Sequence, residues 1–228
     1  MKYEFDLLCY GNLMENKNVV IANCSENISS AIEKLFSSQG ASVYTDKEAK
    51  EKGINADALI CSVSCNYSGQ FEELKTEDIK ENIERNLLYN AELIKSHLPH
   101  MMEKRCGTIV NIIPQYATHA VSGISATAMV SGALVSLTQA IAMDYCKYNI
   151  RANCIEYGIL MTEENSYNAE LIDMQPLRRL CTGEDIANAA LFFSSGMSAF
   201  ISGDTMPVNG GGFCIGHNNA WDNYLKLI

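Results

Sequence analysis

Short apolar runs alternate with segments of helical periodicity along almost the whole chain. The predicted strands are residues 19–22, 41–44, 58–61, 108–112, 150–155 and 205–208. Segments in which apolar residues recur every three or four positions lie between these runs. Strands that alternate with helices in this way predict an α/β fold with a parallel sheet covered on both faces.

The helical pattern is clearest in five segments. They are residues 28–36, 47–52, 76–94, 126–148 and 183–193. Thr76 is predicted to cap the third of these, and Pro99 is predicted to interrupt it near its end. No repeat, low-complexity segment or linker divides the sequence, so residues 1–228 are interpreted as one domain.

Composition narrows the classes of partner. The chain has 228 residues and a net charge of −10, so it lacks the basic excess that nucleic acid or an anionic membrane would require. We see no apolar run near the roughly 20 residues that span a bilayer. Residues 1–12 resemble neither a signal nor a transit peptide.

Nine scattered cysteines without a CxxC pair are typical of reduced thiols. The predicted location is therefore the cytoplasm.

Several segments resemble the short-chain dehydrogenase/reductase family over nearly the whole chain. They are residues 107–112, 131–142, 150–153, 176–180 and 201–211. The resemblance implies a Rossmann-like, doubly wound parallel sheet. Only twelve residues separate Tyr44 from Asp57, where the family has a helix, a strand and a second helix. A complete βα unit needs about thirty residues. The third strand of the family and one neighbouring helix are therefore predicted to be missing.

The resemblance places altered residues at the cofactor site of the family. In that family a glycine-rich turn between the first strand and the first helix binds a dinucleotide. Ala22, Asn23, Asn27 and Ser29 occupy the positions of its threonine and three glycines. Asparagine tolerates the left-handed conformation, so Asn23 or Asn27 could preserve the turn. Their side chains take the space of the phosphates, and we expect no cofactor in this chain.

The catalytic positions implied by the resemblance are altered as well. Pro114 stands at the serine of the family, Thr127 at the tyrosine and Ser131 at the lysine. An aliphatic hydroxyl is too weak an acid to replace the phenol near neutral pH. Asn86 alone remains of the usual tetrad, and we interpret it as a structural residue that bonds backbone. The sequence thus predicts no catalytic residue.

Other candidate site residues receive structural interpretations. His97 and His100 are predicted to lie on the surface and to bind no metal. Tyr116 is expected to pack in a loop, with ligand contact as the alternative. A further hypothesis is that Tyr157 fills part of the empty cofactor cleft.

These losses predict an inactive pseudoenzyme subunit that scaffolds an active short-chain dehydrogenase. The expected assembly is a heterotetramer in which the sibling subunit binds NAD and acts on an alcohol, such as a hydroxyacyl-CoA. The chain is similar in this respect to the degenerate partner subunit of a dehydrogenase acting on hydroxybenzylsuccinyl-CoA. The small residues Ser131, Ala133, Ser136 and Ala140 suit close helix packing. The alternatives are a homomeric small-molecule sensor that uses the vacated cleft and, less favoured, a self-sufficient oxidoreductase.

Overall fold

Six parallel strands form one sheet in the order β2-β1-β3-β4-β5-β6. The structure is a computed structural model that describes residues 12–212 apart from 65–67, 116, 118, 120 and 174. The strands are β1 (Asn18–Ala22), β2 (Ser42–Thr45), β3 (Ala58–Ser62), β4 (Gly107–Pro114), β5 (Ile150–Tyr157) and β6 (Thr205–Val208). Each includes most or all of a predicted strand. The apolar runs of β1, β3, β4 and β5 are buried on both faces of the sheet, whereas the edge strands β2 and β6 are partly exposed.

Helices cover both faces of the sheet. They are α1 (Glu26–Ser38), α2 (Asp46–Lys52), α3 (Thr76–Asn82), α4 (Tyr89–Lys104), α5 (Ser125–Tyr145), α6 (Ala169–Asp173) and α7 (Gly183–Ser194). Successive residues of a strand point to opposite faces, so Val19 packs with α1 and α7, whereas Val20 packs with α4 and α5. The predicted doubly wound α/β fold is confirmed.

The predicted loss of one strand and one helix between β2 and β3 is also confirmed. Only α2 connects β2 to β3, and among the described residues no strand pairs with the outer edge of β2. Thr45 and Glu48 form a capping box at the start of α2, and Gly53 ends the helix with a φ of 64°. The capping box and Gly53 thus define both ends of α2, which replaces the helix, strand and second helix that the family has at this point.

Three predictions about the helices are wrong. Pro99 lies inside α4, which continues to Lys104 because Leu98 and Met101 remain packed in the core. Thr76 is the first residue of α3, and its cap residue is Lys75, without a side-chain cap bond. His97 is not on the surface, since only 7% of it is exposed.

The segment Ser125–Tyr148, which contains α5, is long and apolar enough to cross a membrane by length and composition alone, with a mean hydropathy of 1.5. This corrects the expectation that no segment reaches that length. About 44% of its most apolar stretch is buried inside the protein, and the core helix of a soluble protein meets the same criterion.

Candidate functional site

The candidate site lies at the carboxyl ends of β1, β3 and β4, where doubly wound proteins bind ligands. The turn from β1 to α1 contains no glycine, and Asn23 adopts a left-handed conformation there with a φ of 55°. Asn23 therefore preserves the turn, as its tolerance of positive φ predicts. Asn27 does not share this role, because it lies inside α1.

The Asn23 side chain crosses from this turn to the helical segment opposite. Its Nδ2 donates to the Arg85 carbonyl oxygen at 2.9 Å and to Asn90 Oδ1 at 3.0 Å. Asn90 is fully buried, and its own Nδ2 donates to the Ser62 carbonyl oxygen at 2.9 Å. These bonds link the ends of β1 and β3 to α4, and we call Asn23 and Asn90 with these partners the amide bridge.

A second contact closes the other side of the turn. Asn27 Nδ2 donates to the Met161 carbonyl oxygen at 3.2 Å, which joins the first turn of α1 to the loop after β5. A Cβ atom at Gly183 would lie 2.2 Å from the Asn27 carbonyl oxygen, so α7 packs directly on the same turn. Ser29 Oγ donates to Glu26 O within α1.

These residues do not fit a dinucleotide. A pyrophosphate needs free backbone N–H groups and a turn without side chains in its path. Here Asn23 and Asn27 span the groove on either side of the turn, and their amides bond the protein itself. The strand that would wall an adenine is absent between β2 and β3.

The three altered catalytic positions are buried. Pro114 ends β4, and Thr127 and Ser131 lie in the first two turns of α5 with 1% and 0% of their surface exposed. Ser131 Oγ has no hydrogen-bond partner among the described residues. Val130 and Leu134 of the same helix belong to an apolar cluster with Val63. No described phenol or ammonium therefore occupies the positions that transfer protons in the family.

Asn86 lies on a π-helical segment, Ile83–Leu88, that joins α3 to α4. Its Oδ1 accepts from the Ser64 N–H at 2.8 Å, and its Nδ2 donates to the Ser64 carbonyl oxygen at 3.2 Å and to Asn82 Oδ1 at 2.7 Å. Asn82 Nδ2 in turn donates to the Ala126 carbonyl oxygen. The side chain thus ties the helix to the loop after β3, which is the kind of contact a structural role requires.

Two aromatic predictions have different outcomes. Tyr157 does not fill the cleft, because it is buried in the core cluster that contains Phe36 and Phe193 between the sheet, α1 and α7. An odd-numbered position on β5 faces that side of the sheet, so the strand register decides its location. Tyr116 lies outside the described residues.

Two thiols lie close to the turn, and neither is activated. Burial raises the pKa of Cys24 to about 12, and burial also raises the pKa of Cys61 strongly. A thiol with a raised pKa stays protonated at neutral pH and is a poor nucleophile. This agrees with the prediction of structural cysteines, while Cys106 and Cys146 are exposed and Cys9, Cys65 and Cys214 lie outside the described residues.

Sequence reasoning missed three residues of the site. Asp46 follows β2 directly and accepts a hydrogen bond from the Tyr89 hydroxyl of α4. Burial and the Asp46 carboxylate raise the pKa of Tyr89 to about 12. The sequence did offer a signal for Asp46: it lies about 20 positions after the first turn, where dinucleotide-binding folds have the acidic residue that binds the ribose. Asn90 gave no such signal, because its partner Asn23 is 67 residues away.

The fold and the position of this cleft define a Rossmann-like, doubly wound α/β protein. The chain belongs to the short-chain dehydrogenase/reductase family, since residues 39–212 match the family model described as enoyl-(acyl carrier protein) reductase. The fold is shared with a 3-oxoacyl-[acyl-carrier protein] reductase from Brucella melitensis, with a TM-score of 0.81 and 20% identity over 88% of this chain and 92% of that one.

Curated relatives share moderate sequence identity with the chain. The 3-oxoacyl-[acyl-carrier-protein] reductase of Chlamydia pneumoniae is 27% identical over 71% of this chain and 67% of its own length. A 7alpha-hydroxysteroid dehydrogenase of Paraclostridium sordellii is 35% identical over 60% of this chain, which spans only 52% of that relative. A 2-dehydro-3-deoxy-D-gluconate 5-dehydrogenase of Formosa agariphila is 29% identical over 61% of this chain and 56% of its own length.

These relatives correct one sequence prediction. The chain was predicted not to be an enzyme in isolation and to be a non-catalytic subunit, yet the relatives are named as active reductases and dehydrogenases. That prediction is contradicted, because the comparisons point to an oxidoreductase. The altered positions taken alone predict inactivity, whereas the scaffold that the chain shares with these relatives indicates an oxidoreductase.

Proposed function

We propose that this chain is a subunit of a cytoplasmic oxidoreductase of the short-chain dehydrogenase/reductase family. It works in a hetero-oligomer, a heterotetramer, with a sibling chain of the same family. The sibling binds NAD, and this chain stabilises the sibling and its active site. The observation that carries the proposal is an apolar face on α5 that the described residues leave exposed, in a chain whose own dinucleotide groove is bridged.

The hydrogen bonds across the groove of this chain support the proposal that the sibling chain, and not this one, binds the cofactor. Hydride transfer in this class of enzyme needs a bound carrier, because protein side chains do not supply hydride. Asn23 and Asn90 connect β1 and β3 to α4, and Asn27 connects α1 to the loop after β5. For an oxidoreductase containing this chain, the simplest source of the carrier is a second chain with an open glycine-rich turn.

The outer face of α5 supports an assembly. Residues spaced alternately by four and three positions form a stripe along it: Met129, Ala133, Ser136, Ala140 and Met143. Met129 and Met143 are 44% and 76% exposed, and a Cβ atom at Gly132 would meet nothing within 4 Å. Ser131, which the sequence grouped with this face, is buried instead. An apolar stripe at this spacing is the pattern that packs against another helix.

The names of two relatives support a proposal for the substrate class. Two of those described above are named as 3-oxoacyl-[acyl-carrier-protein] reductases. A hydroxyacyl or oxoacyl thioester, such as a hydroxyacyl-CoA, is therefore the substrate proposed for the assembly.

The alternative function, a homomeric sensor using the vacated cleft, has less support. The amide bridge occupies the mouth of that cleft, and its donors are satisfied by the protein. A ligand entering there would have to break these hydrogen bonds, and leaving the buried Asn90–Ser62 bond unmade costs about 1–3 kcal/mol.

The test is reconstitution with a member of the same family that has an intact glycine-rich turn, taken from the same organism and sought first in the neighbouring reading frame. The two chains are expressed separately and together, and NADH-dependent reduction of acetoacetyl-CoA is measured after size-exclusion chromatography. We expect the mixed assembly to elute as one species and to be more active and more stable than the sibling alone. Separate elution, or a sibling whose activity and stability are unchanged by this chain, contradicts the proposal.

A further inference from the structure

A cavity of about 400 Å³ lies between α2 and α4, away from the α5 stripe. It opens where the chain between β2 and β3 is short, because the single helix α2 covers less of α4 than a longer insertion would. Its volume is within the range of small-molecule sites, roughly 300–1,000 Å³. Nothing in the proposed function uses it.

The floor of the cavity is apolar and its rim is polar. Ala49 of α2, which is 1% exposed, contributes to the floor with Ile54 and Leu93. Ser96 Oγ donates to the Leu93 carbonyl oxygen, so its lone pairs remain available as acceptors. The Tyr89 hydroxyl bonds Asp46 at one end of the cavity and joins α4 to α2 there.

His97 is the most deeply buried polar side chain of the wall, with 7% exposed. Its Nδ1 accepts from the Ala56 N–H at 3.3 Å, so the hydrogen of the neutral ring is on Nε2. Burial, with a smaller effect of His100, lowers the pKa of His97, which keeps the ring neutral at pH 7. Among the described residues nothing accepts from Nε2, which leaves one ring N–H donor for a ligand.

The charges at the rim are mixed. Asp46 and Glu92 are acidic and Lys50 is basic, so their opposite charges partly cancel and the rim selects strongly for neither an anion nor a cation. We propose that this cavity binds a small uncharged organic molecule that has an apolar body and hydroxyl groups. The apolar body covers Ala49 and Leu93, one ligand oxygen accepts from His97 Nε2, and a hydroxyl donates to Ser96 or Glu92.

Three small phenols that differ mainly in charge test whether the cavity prefers an uncharged ligand. Tyrosol is neutral, tyramine carries an ammonium and 4-hydroxyphenylacetate carries a carboxylate. Binding of each to the full-length chain is measured by calorimetry and by the shift in thermal unfolding. We expect tyrosol to bind at least about tenfold more tightly than either charged analogue. Equal affinities, or no tyrosol binding below about 1 mM, overturn the proposal.

Two variants locate the binding. His97→Asn keeps an acceptor for the Ala56 N–H but removes the Nε2 donor, and it should weaken tyrosol binding about tenfold. Ala49→Leu fills the floor and should abolish binding, while the matched control Ala199→Leu, at an exposed alanine outside the cavity, should not. Unchanged tyrosol affinity in folded His97→Asn and Ala49→Leu proteins places the ligand elsewhere and overturns the assignment.

Discussion

At the scale of single residues, Asn23 takes the left-handed backbone conformation that a glycine takes in the corresponding turn of dinucleotide-binding folds. Asn23 reaches a left-handed φ because its short polar side chain tolerates that conformation. Unlike glycine, it has an amide, and the amide bonds Arg85 and Asn90 across the groove. One substitution therefore preserves the turn and changes what the turn can hold.

The amide bridge should matter for stability. Asn90→Ala removes the partner of Asn23 and leaves the buried Ser62 carbonyl oxygen without its donor. We expect the free energy of unfolding to fall by about 2–4 kcal/mol, measured by urea denaturation. Glu84→Ala, at an exposed position on the π-helical segment, is the control and should change it by less than about 0.5 kcal/mol. A loss at Asn90 no larger than that would mean the bridge is not formed.

Asp185 gives a residue-scale prediction about pH. Arg179 binds its carboxylate at 2.6 and 2.8 Å, and this pairing, with the Thr182 cap bond, lowers the pKa of Asp185 to about 2. A folded pKa below the unfolded value of about 3.9 stabilises the protein above that value, and the benefit is lost as pH falls towards 2.

The variant Asp185→Asn should therefore lose about 1 kcal/mol of stability at pH 7, since it weakens a helix cap and an exposed ion pair. The difference from the unmodified protein should shrink below pH 4, as measured by thermal unfolding across pH. Asp173→Asn, at a more exposed pair with Arg178, is the control and should have a smaller effect. A constant difference from pH 7 to pH 2 would contradict the ion-pair account.

At the scale of elements, two helices give the surface its candidate binding regions: α5 exposes an apolar stripe, and α2 borders a cavity. The segment 125–143 of α5 contains no charged residue, although part of its face is exposed. Helix α2 is short, strongly capped and paired with Tyr89 through Asp46, which leaves the cavity against α4. One helix is thus suited to a protein partner, and the other borders a small-molecule site.

Assembly should depend on the α5 stripe. Ala140→Arg places a charge on that face, where packing against a partner helix would bury it unpaired at a cost of several kcal/mol. Light scattering after size-exclusion chromatography should show a smaller assembly for this variant. Ser30→Arg, at an exposed position of α1 on the opposite side of the sheet, is the control and should assemble normally. Intact assembly of the Ala140 variant would exclude this face as the interface.

At the scale of the whole molecule, the sequence predicted the sheet better than the site. Buried strands such as 108–112 are continuous apolar runs, and the missing strand follows from the short spacing between Tyr44 and Asp57. Contacts between distant segments were not predictable in this way. The Asn23–Asn90 bond joins residues 67 positions apart, and the burial of His97 depends on where α2 ends. Helical spacing alone shows which residues share a face, but not which face is covered.

The number of dinucleotides bound per assembly tests the central claim most directly. Native mass spectrometry of the co-purified assembly, saturated with NAD, counts chains and bound NAD in the same particle. The account predicts a heterotetramer that holds one NAD for each sibling chain and none for this chain, because Asn23 and Asn27 bridge its groove. One NAD for every chain, or NAD bound to a homo-oligomer of this chain, would contradict it.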